Sequence, residues 1–164
     1  MEDGSKADPV FLDNKDCRFE PHVGFVQTGQ TLTIKNSDAV GHNSNIATMK
    51  NSPSNSLVPS NGSSDVTFSS DEAIPAAVTC NIHPWMKAYL VITPNPYGVV
   101  SGADGSFEIE NLPVGEELEF QLWHEKGGYL DEFSLGGKKT SAKRGRIDFT
   151  VEEGGTDLGE IVID

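Results

Sequence analysis

The segment Thr79-Cys80-Asn81-Ile82-His83-Pro84-Trp85-Met86 places three metal-ligating side chains in one short stretch of chain. An apolar, strand-like run ends at Cys80, and the residues after it do not continue the pattern. An imidazole follows three residues after the thiol, and a thioether follows three residues after the imidazole. The segment therefore predicts a tight ligand loop at the end of a β-strand.

A second imidazole lies well upstream, where His42-Asn43 follows the turn residues Asn36-Ser37-Asp38. Two imidazoles, one thiolate and a weak thioether are the donor set of a blue-copper electron-transfer site. Cu(II) favours nitrogen and oxygen ligands, whereas Cu(I) accepts soft sulfur, and this mixed trigonal set lies between the two preferences. One electron can then move with little rearrangement of the ligands.

The ligand loop and the strands before it resemble the cupredoxin family. The Cys-x2-His-x2-Met spacing matches the short loop of amicyanin-type cupredoxins, including a Pro after the His and an aromatic residue before the Met. Upstream, Phe19-Glu20-Pro21, Gly29-Gln30-Thr31-Leu32 and Asn36-Ser37-Asp38 are similar to the strands that lead to the first His ligand of that family.

The resemblance implies a copper site with one ion per chain. Its metal ligands would be His42, Cys80, His83 and Met86. Asn43 would tie the ligand loops together near the Cys sulfur, and the carbonyl of Gly41 could add a weak contact. Trp85 would cover the metal and shape the surface around His83, where the family passes electrons.

Other interpretations of the two cysteines stay open. Cys17 and Cys80 could form a disulfide, or either could be a buried thiol. Zinc is a rival metal, although a Met suits it poorly and Cu(II) binds such sites more tightly. Cys17 could also join His22 in a second metal site.

Short apolar or alternating runs separated by turn residues predict an all-β fold, a Greek-key β-sandwich of the cupredoxin type over residues 8–94. Strand-like runs include residues 10–12, 22–26, 31–34, 65–68, 76–80 and 88–92. The Ser/Asn-rich residues 51–64 are expected to form a surface loop, because they cannot pack a core.

Residues 95–164 predict a small antiparallel β-extension with alternating strands. The runs at 107–109, 118–123, 147–151 and 159–163 carry this pattern, and Asp104-Gly105 marks a turn. Residues 104–123 resemble carboxypeptidase regulatory-like β-modules. The carboxylates of this extension are predicted to lie on alternating outward positions. This pattern indicates solubility and not a general acid and base.

The 164 residues carry a net charge of −13, which argues against nucleic acid as a partner. Redox proteins with cationic surfaces are the expected partners. No apolar run is long enough for a membrane span, and the polar start of the chain lacks the pattern of a signal peptide. The resemblance implies a mature periplasmic or exported protein.

These features together predict an electron carrier rather than an enzyme. Four protein donors leave no open metal position for a substrate, and no catalytic triad or phosphate loop is present. Two alternatives are a non-redox copper carrier, buffer or sensor, and a β-sandwich module for adhesion or carbohydrate binding.

Overall fold

The structure, a computed structural model, describes residues 9–163. The chain divides into two compact units. The first ends at Ile109, and the second begins at Glu110. Two sequence predictions concern residues outside this range, namely the lack of a signal-peptide pattern at the start of the chain and the domain start at residue 8.

The first unit is built from β-strands that form two sheets. Its strands are β1 (Val10–Lys15), β2 (Arg18–Glu20), β3 (Val23–Gln27), β4 (Thr31–Asn36), β5 (His42–Ala47), β6 (Ser54–Val58), β7 (Ser63–Thr67), β8 (Ala76–Thr79) and β9 (Lys87–Thr93). One sheet has the order β2-β1-β4-β7, and the other has the order β3-β9-β8-β5-β6. Both sheets are mixed, because β1 pairs with β4 and β3 pairs with β9 in parallel.

The core of this unit takes buried side chains from both sheets. In β4, every second residue points inward, so that Leu32 and Ile34 are fully buried. They belong to the same cluster as Val26, Val78 and Leu90 of the other sheet. Burying each such side chain stabilises the fold by about 1.5–3 kcal/mol. The all-β prediction is confirmed.

The expected surface loop at 51–64 is wrong in part, because β6 and the start of β7 lie within it. β6 pairs along its length with β5, from His42 opposite Val58 to Ile46 opposite Ser54. It is an edge strand that begins with three polar residues, and only its last residue, Val58, is buried. Its stability comes from backbone pairing, so it lacks the apolar pattern that would have predicted it.

The second unit contains short antiparallel strands. They are β10 (Glu117–Gln121), β11 (Trp123–His124), β12 (Gly128–Tyr129), β13 (Glu132–Leu135), β14 (Lys138–Ser141), β15 (Arg146–Thr150) and β16 (Ile161–Val162). β10 pairs with β15, β11 with β12, and β13 with both β14 and β16. A small core of Leu130, Phe133 and Ala142 lies among them.

The segment that follows β9 differs from the prediction. Residues 107–109 form no strand, and Phe107 is exposed, since no neighbouring strand pairs with this run. The predicted turn does form, with the Gly105 amide donating to the Gly102 carbonyl. The predicted domain boundary at residue 94 stays a prediction. No helix in residues 9–163 is long and apolar enough to cross a membrane.

Candidate metal centre

The sheet order brings the predicted ligand segments to one end of the five-stranded sheet. His42 is the first residue of β5, and Cys80 directly follows β8, the antiparallel neighbour of β5. Asn45 lies opposite Thr79 in this pairing, so the start of β5 faces the residues just after β8. Two segments far apart in sequence therefore meet through strand register.

The loop from Cys80 to Met86 folds back on itself. The Met86 amide donates to the His83 carbonyl at 2.9 Å, and the Cys80 amide donates to the Met86 carbonyl at 3.4 Å. β9 begins at the next residue, Lys87, and runs antiparallel beside β8. The loop thus connects two adjacent antiparallel strands, which keeps its side chains at one end of the five-stranded sheet.

Two imidazole nitrogens lie near the Cys80 sulfur. The Nδ1 atom of His42 is 3.9 Å from Cys80 Sγ, and the Nδ1 atom of His83 is 3.7 Å from it. Donor atoms of the three residues all lie within 4.8 Å of one another. Metal–sulfur and metal–nitrogen bonds of about 2.3 and 2.0 Å, set about 120° apart, separate the two donors by about 3.7 Å. The cluster therefore fits a metal in a trigonal set of one thiolate and two imidazoles.

Most of the predicted donors are shielded from water. The exposed fraction is 0% for His42, 2% for Cys80 and 1% for Met86, whereas His83 is half-buried. Met86 and Cys80 belong to the same buried cluster. The role of Met86 as a ligand stays a prediction, as does the contact of the Gly41 carbonyl, whose residue precedes β5 and is exposed.

Asn43 joins the two ligand segments. Its Oδ1 atom accepts a hydrogen bond from the Asn81 amide at 2.8 Å and lies 3.5 Å from Cys80 Sγ. Its Nδ2 group donates to Asn55 Oδ1 of β6 at 2.8 Å. The Cys80 sulfur also accepts the His83 amide hydrogen at 3.4 Å. These contacts orient the thiol and hold the loop against β5 and β6.

Asp38 contacts the buried imidazole on its other side, a role that the sequence did not reveal. The Nε2 atom of His42 is 2.8 Å from Asp38 Oδ2. The Asp38 carboxylate also accepts the amide hydrogens of Asp16 and Cys17 at 2.7 and 2.9 Å. The sequence predicts Asp38 to be a turn residue, and its position four residues before His42 is the one signal of this contact.

The carboxyl of Asp38 is held in its charged form. Burial raises its pKa, but hydrogen bonds from the Cys17 amide, the His42 ring and the Asp16 amide lower the pKa by more. A carboxylate accepts hydrogen bonds but donates none, so the ring hydrogen of His42 sits on Nε2. In a neutral ring the lone pair is then on Nδ1, which faces Cys80, as metal binding requires.

Trp85 packs edge-on against the half-buried imidazole of His83. Its side chain is 67% exposed, and its ring centroid is 5.2 Å from that of His83. The Nε1 group donates to the Cys17 carbonyl at 3.2 Å. Trp85 therefore links the ligand loop to the turn between β1 and β2.

The two cysteines are both free thiols, so the disulfide alternative is wrong. The pairing of Cys17 with His22 does not occur in the clusters that could hold a metal within residues 9–163. His22 instead lies 3.1 Å from the Lys87 carbonyl and contacts the ring of Tyr89 edge-on. Cys17 is grouped with Asp38 and His42.

No model of a known protein family matches the sequence, and no curated protein matches it either. Among solved structures, a copper-containing nitrite reductase from Thermus scotoductus SA-01 is 21% identical over 56% of this chain, with a TM-score of 0.48. The chain spans 24% of the length of that reductase.

Structures of amicyanin are also similar to this chain. A Cu(I) form of an amicyanin variant is 20% identical over 54% of this chain and 86% of its own, with a TM-score of 0.45. An oxidised amicyanin variant is 20% identical over 51% of this chain and 80% of its own, with a TM-score of 0.46. At this level of identity the similarity concerns the fold alone.

Proposed function

We propose that this protein binds one copper ion and carries single electrons between redox partners. One observation carries the proposal, namely that two imidazole Nδ1 atoms lie 3.9 and 3.7 Å from one buried thiol sulfur. His42 and His83 would supply two imidazole nitrogens, Cys80 would supply the thiolate, and Met86 would supply a weak thioether ligand. When bound, copper would supply a one-electron couple between Cu(II) and Cu(I).

The residues around the donors favour electron transfer because they restrict rearrangement. Asn43 binds the Asn81 amide, Asp38 holds the outer nitrogen of His42, and the Met86 amide closes the loop. Ligands fixed by such outer contacts keep their geometry when the charge on the metal changes. The amide hydrogen of His83 also stabilises the Cys80 thiolate.

Electrons would pass through His83, the predicted ligand that is only half-buried. Ile82 and Trp85 flank it, with exposed fractions of 53% and 67%. An apolar surface at the ligand suits brief docking, and the net charge of −13 favours partners with cationic surfaces. Electron transfer on copper of this kind takes place outside the cytoplasm, which supports a periplasmic or exported location.

An electron carrier is favoured over an enzyme, a copper buffer and an adhesion module. The proposed four donors complete the coordination, so no position remains for a substrate. Three of these donors are no more than 2% exposed, which opposes the rapid metal exchange that a buffer needs. Zinc would fill the same donors without a redox couple, and Met86 makes it the poorer fit.

The test is to add one equivalent of Cu(II) to the purified apoprotein and to record visible absorption and EPR spectra. We expect an intense thiolate-to-copper band with narrow parallel hyperfine splitting. Cys80→Ser should remove the band, and the matched variant Cys17→Ser should keep it. A pale wild-type protein with an ordinary tetragonal EPR signal would contradict the proposal.

A further inference from the structure

A second cluster of metal-ligating side chains lies on the outer side of His42. The Cys17 sulfur, an Asp38 carboxylate oxygen and a His42 ring nitrogen all lie within 4.8 Å of one another. They come from the turn between β1 and β2, the segment after β4 and the start of β5. Three separate parts of the fold thus bring a thiol, a carboxylate and an imidazole together.

The outer cluster is held in place by backbone contacts. The amides of Asp16 and Cys17 donate to the two oxygens of Asp38 at 2.7 and 2.9 Å. The Trp85 ring nitrogen also donates to the Cys17 carbonyl, at 3.2 Å. Cys17 is partly exposed and packs against the edge of the core cluster, whereas Cys80 is buried.

We propose that Cys17, Asp38 and His42 Nε2 form a second metal site, which is available when the copper site is empty. A thiolate with one imidazole and one carboxylate suits Zn²⁺ and the chemically similar, more thiophilic Cd²⁺. The thiol hydrogen of Cys17 is released to solvent when the metal binds. Water completes the coordination.

The two sites exclude each other because they share one imidazole. A neutral His42 ring carries one hydrogen and offers one lone pair. A metal on Nδ1 leaves the hydrogen on Nε2, where Asp38 accepts it at 2.8 Å. A metal on Nε2 places the hydrogen on Nδ1. Nδ1 can then no longer bind a metal together with Cys80 and His83. This mutual exclusion rests on the proposed copper site, whereas the outer cluster itself does not.

The first experiment isolates the outer site with Cys80→Ser, which changes one atom of a side chain that is 2% exposed. Apoprotein of this variant is titrated with Cd²⁺ under anaerobic conditions, and the ultraviolet thiolate-to-cadmium band is recorded. We expect one equivalent to bind with a band from Cys17. Adding Cys17→Ser should abolish the band, and adding Asp38→Asn should weaken binding at least tenfold.

If Cys80→Ser has the far-UV circular dichroism of the wild type but shows no cadmium band, the proposal of an outer site is wrong. Cys80→Ala serves the same purpose if the serine variant does not fold. The second experiment adds Cd²⁺ to the copper-loaded wild-type chain, where we expect no new thiolate band. A new band there would overturn the mutual exclusion. Copper spectra of Cys17→Ser report on the inner site alone, so failure of either site is recognised separately.

Discussion

His42 and Asp38 are in direct contact, with the ring nitrogen Nε2 2.8 Å from a carboxylate oxygen. The two residues are four positions apart, yet the carboxylate is anchored by amides of the distant turn at Asp16 and Cys17. One ring nitrogen of His42, Nε2, is thereby bound to Asp38, and the other, Nδ1, is left to face Cys80.

Asp38→Asn should raise the reduction potential of the copper site. A negative charge beside His42 stabilises Cu(II) more than Cu(I), so its removal favours the reduced form. We expect a shift of about 60 mV, which corresponds to a tenfold change for one electron. Cyclic voltammetry measures the shift, and Asp65→Asn, an exposed carboxylate bound to Thr33, is the control. Equal potentials in all three proteins would contradict an electrostatic role for Asp38.

Met86→Gln should lower the reduction potential. A glutamine oxygen is a harder donor than a thioether and favours Cu(II) over Cu(I). We expect a decrease of about 60 mV or more, by the same one-electron conversion. The buried Val78 of the same cluster offers a control, since Val78→Ala disturbs packing without touching the ligand set. An unchanged potential in the glutamine variant would show that Met86 is not the axial ligand.

Glu72→Gln should destabilise the first unit at neutral pH. Glu72 accepts the amide hydrogens of Met49, Lys50 and Asn51 at 3.1, 2.9 and 3.0 Å. Burial raises its pKa, but the hydrogen bonds from Asn51, Lys50 and Met49 lower the pKa by more. We expect the free energy of unfolding to fall by about 1–2 kcal/mol at pH 7, measured by urea denaturation.

The effect of Glu72→Gln should depend on pH in one direction. A carboxyl with a lowered pKa in the folded state stabilises the protein above its unfolded pKa and loses this contribution as the pH falls through the folded value. The difference between wild type and variant should therefore shrink below about pH 4. Asp71→Asn, which removes only an exposed ion pair with Lys50, should change stability little at either pH. A pH-independent difference would contradict this account.

Truncation after Ile109 should keep copper binding, and truncation after Pro94 should weaken the fold. Gly98 lies against the ring of Phe25 in β3, so closely that an added Cβ would overlap the ring. Removing residues 95–109 would expose this ring. Copper titration and thermal unfolding of both truncated chains measure the difference. Equal stability of the two would place the end of the domain near Pro94.

Local spacing allowed much of the candidate site to be predicted. Cys80, His83 and Met86 lie in one short loop, and the covalent chain itself keeps their side chains near each other. Spacing could not link His42 to this loop, because it lies 38 positions before Cys80, so its assignment depends on the donor set and on the cupredoxin resemblance. The same resemblance pointed to Asn43, and the structure places its amide oxygen on the Asn81 amide.

The sequence by itself determined the all-β class and the ligand loop, because alternation and close spacing are local properties of the chain. Three features depend on the tertiary structure. Asp38 contacts His42, Cys17 lies with these two residues and not with His22, and residues 54–58 form an edge strand although only the last of them is buried. Asp38 and Cys17 are 21 residues apart, and they meet because β1 and β4 pair in parallel and bring the segments after them together. Contacts of this kind depend on strand register, which becomes fixed only when both sheets close on a common core.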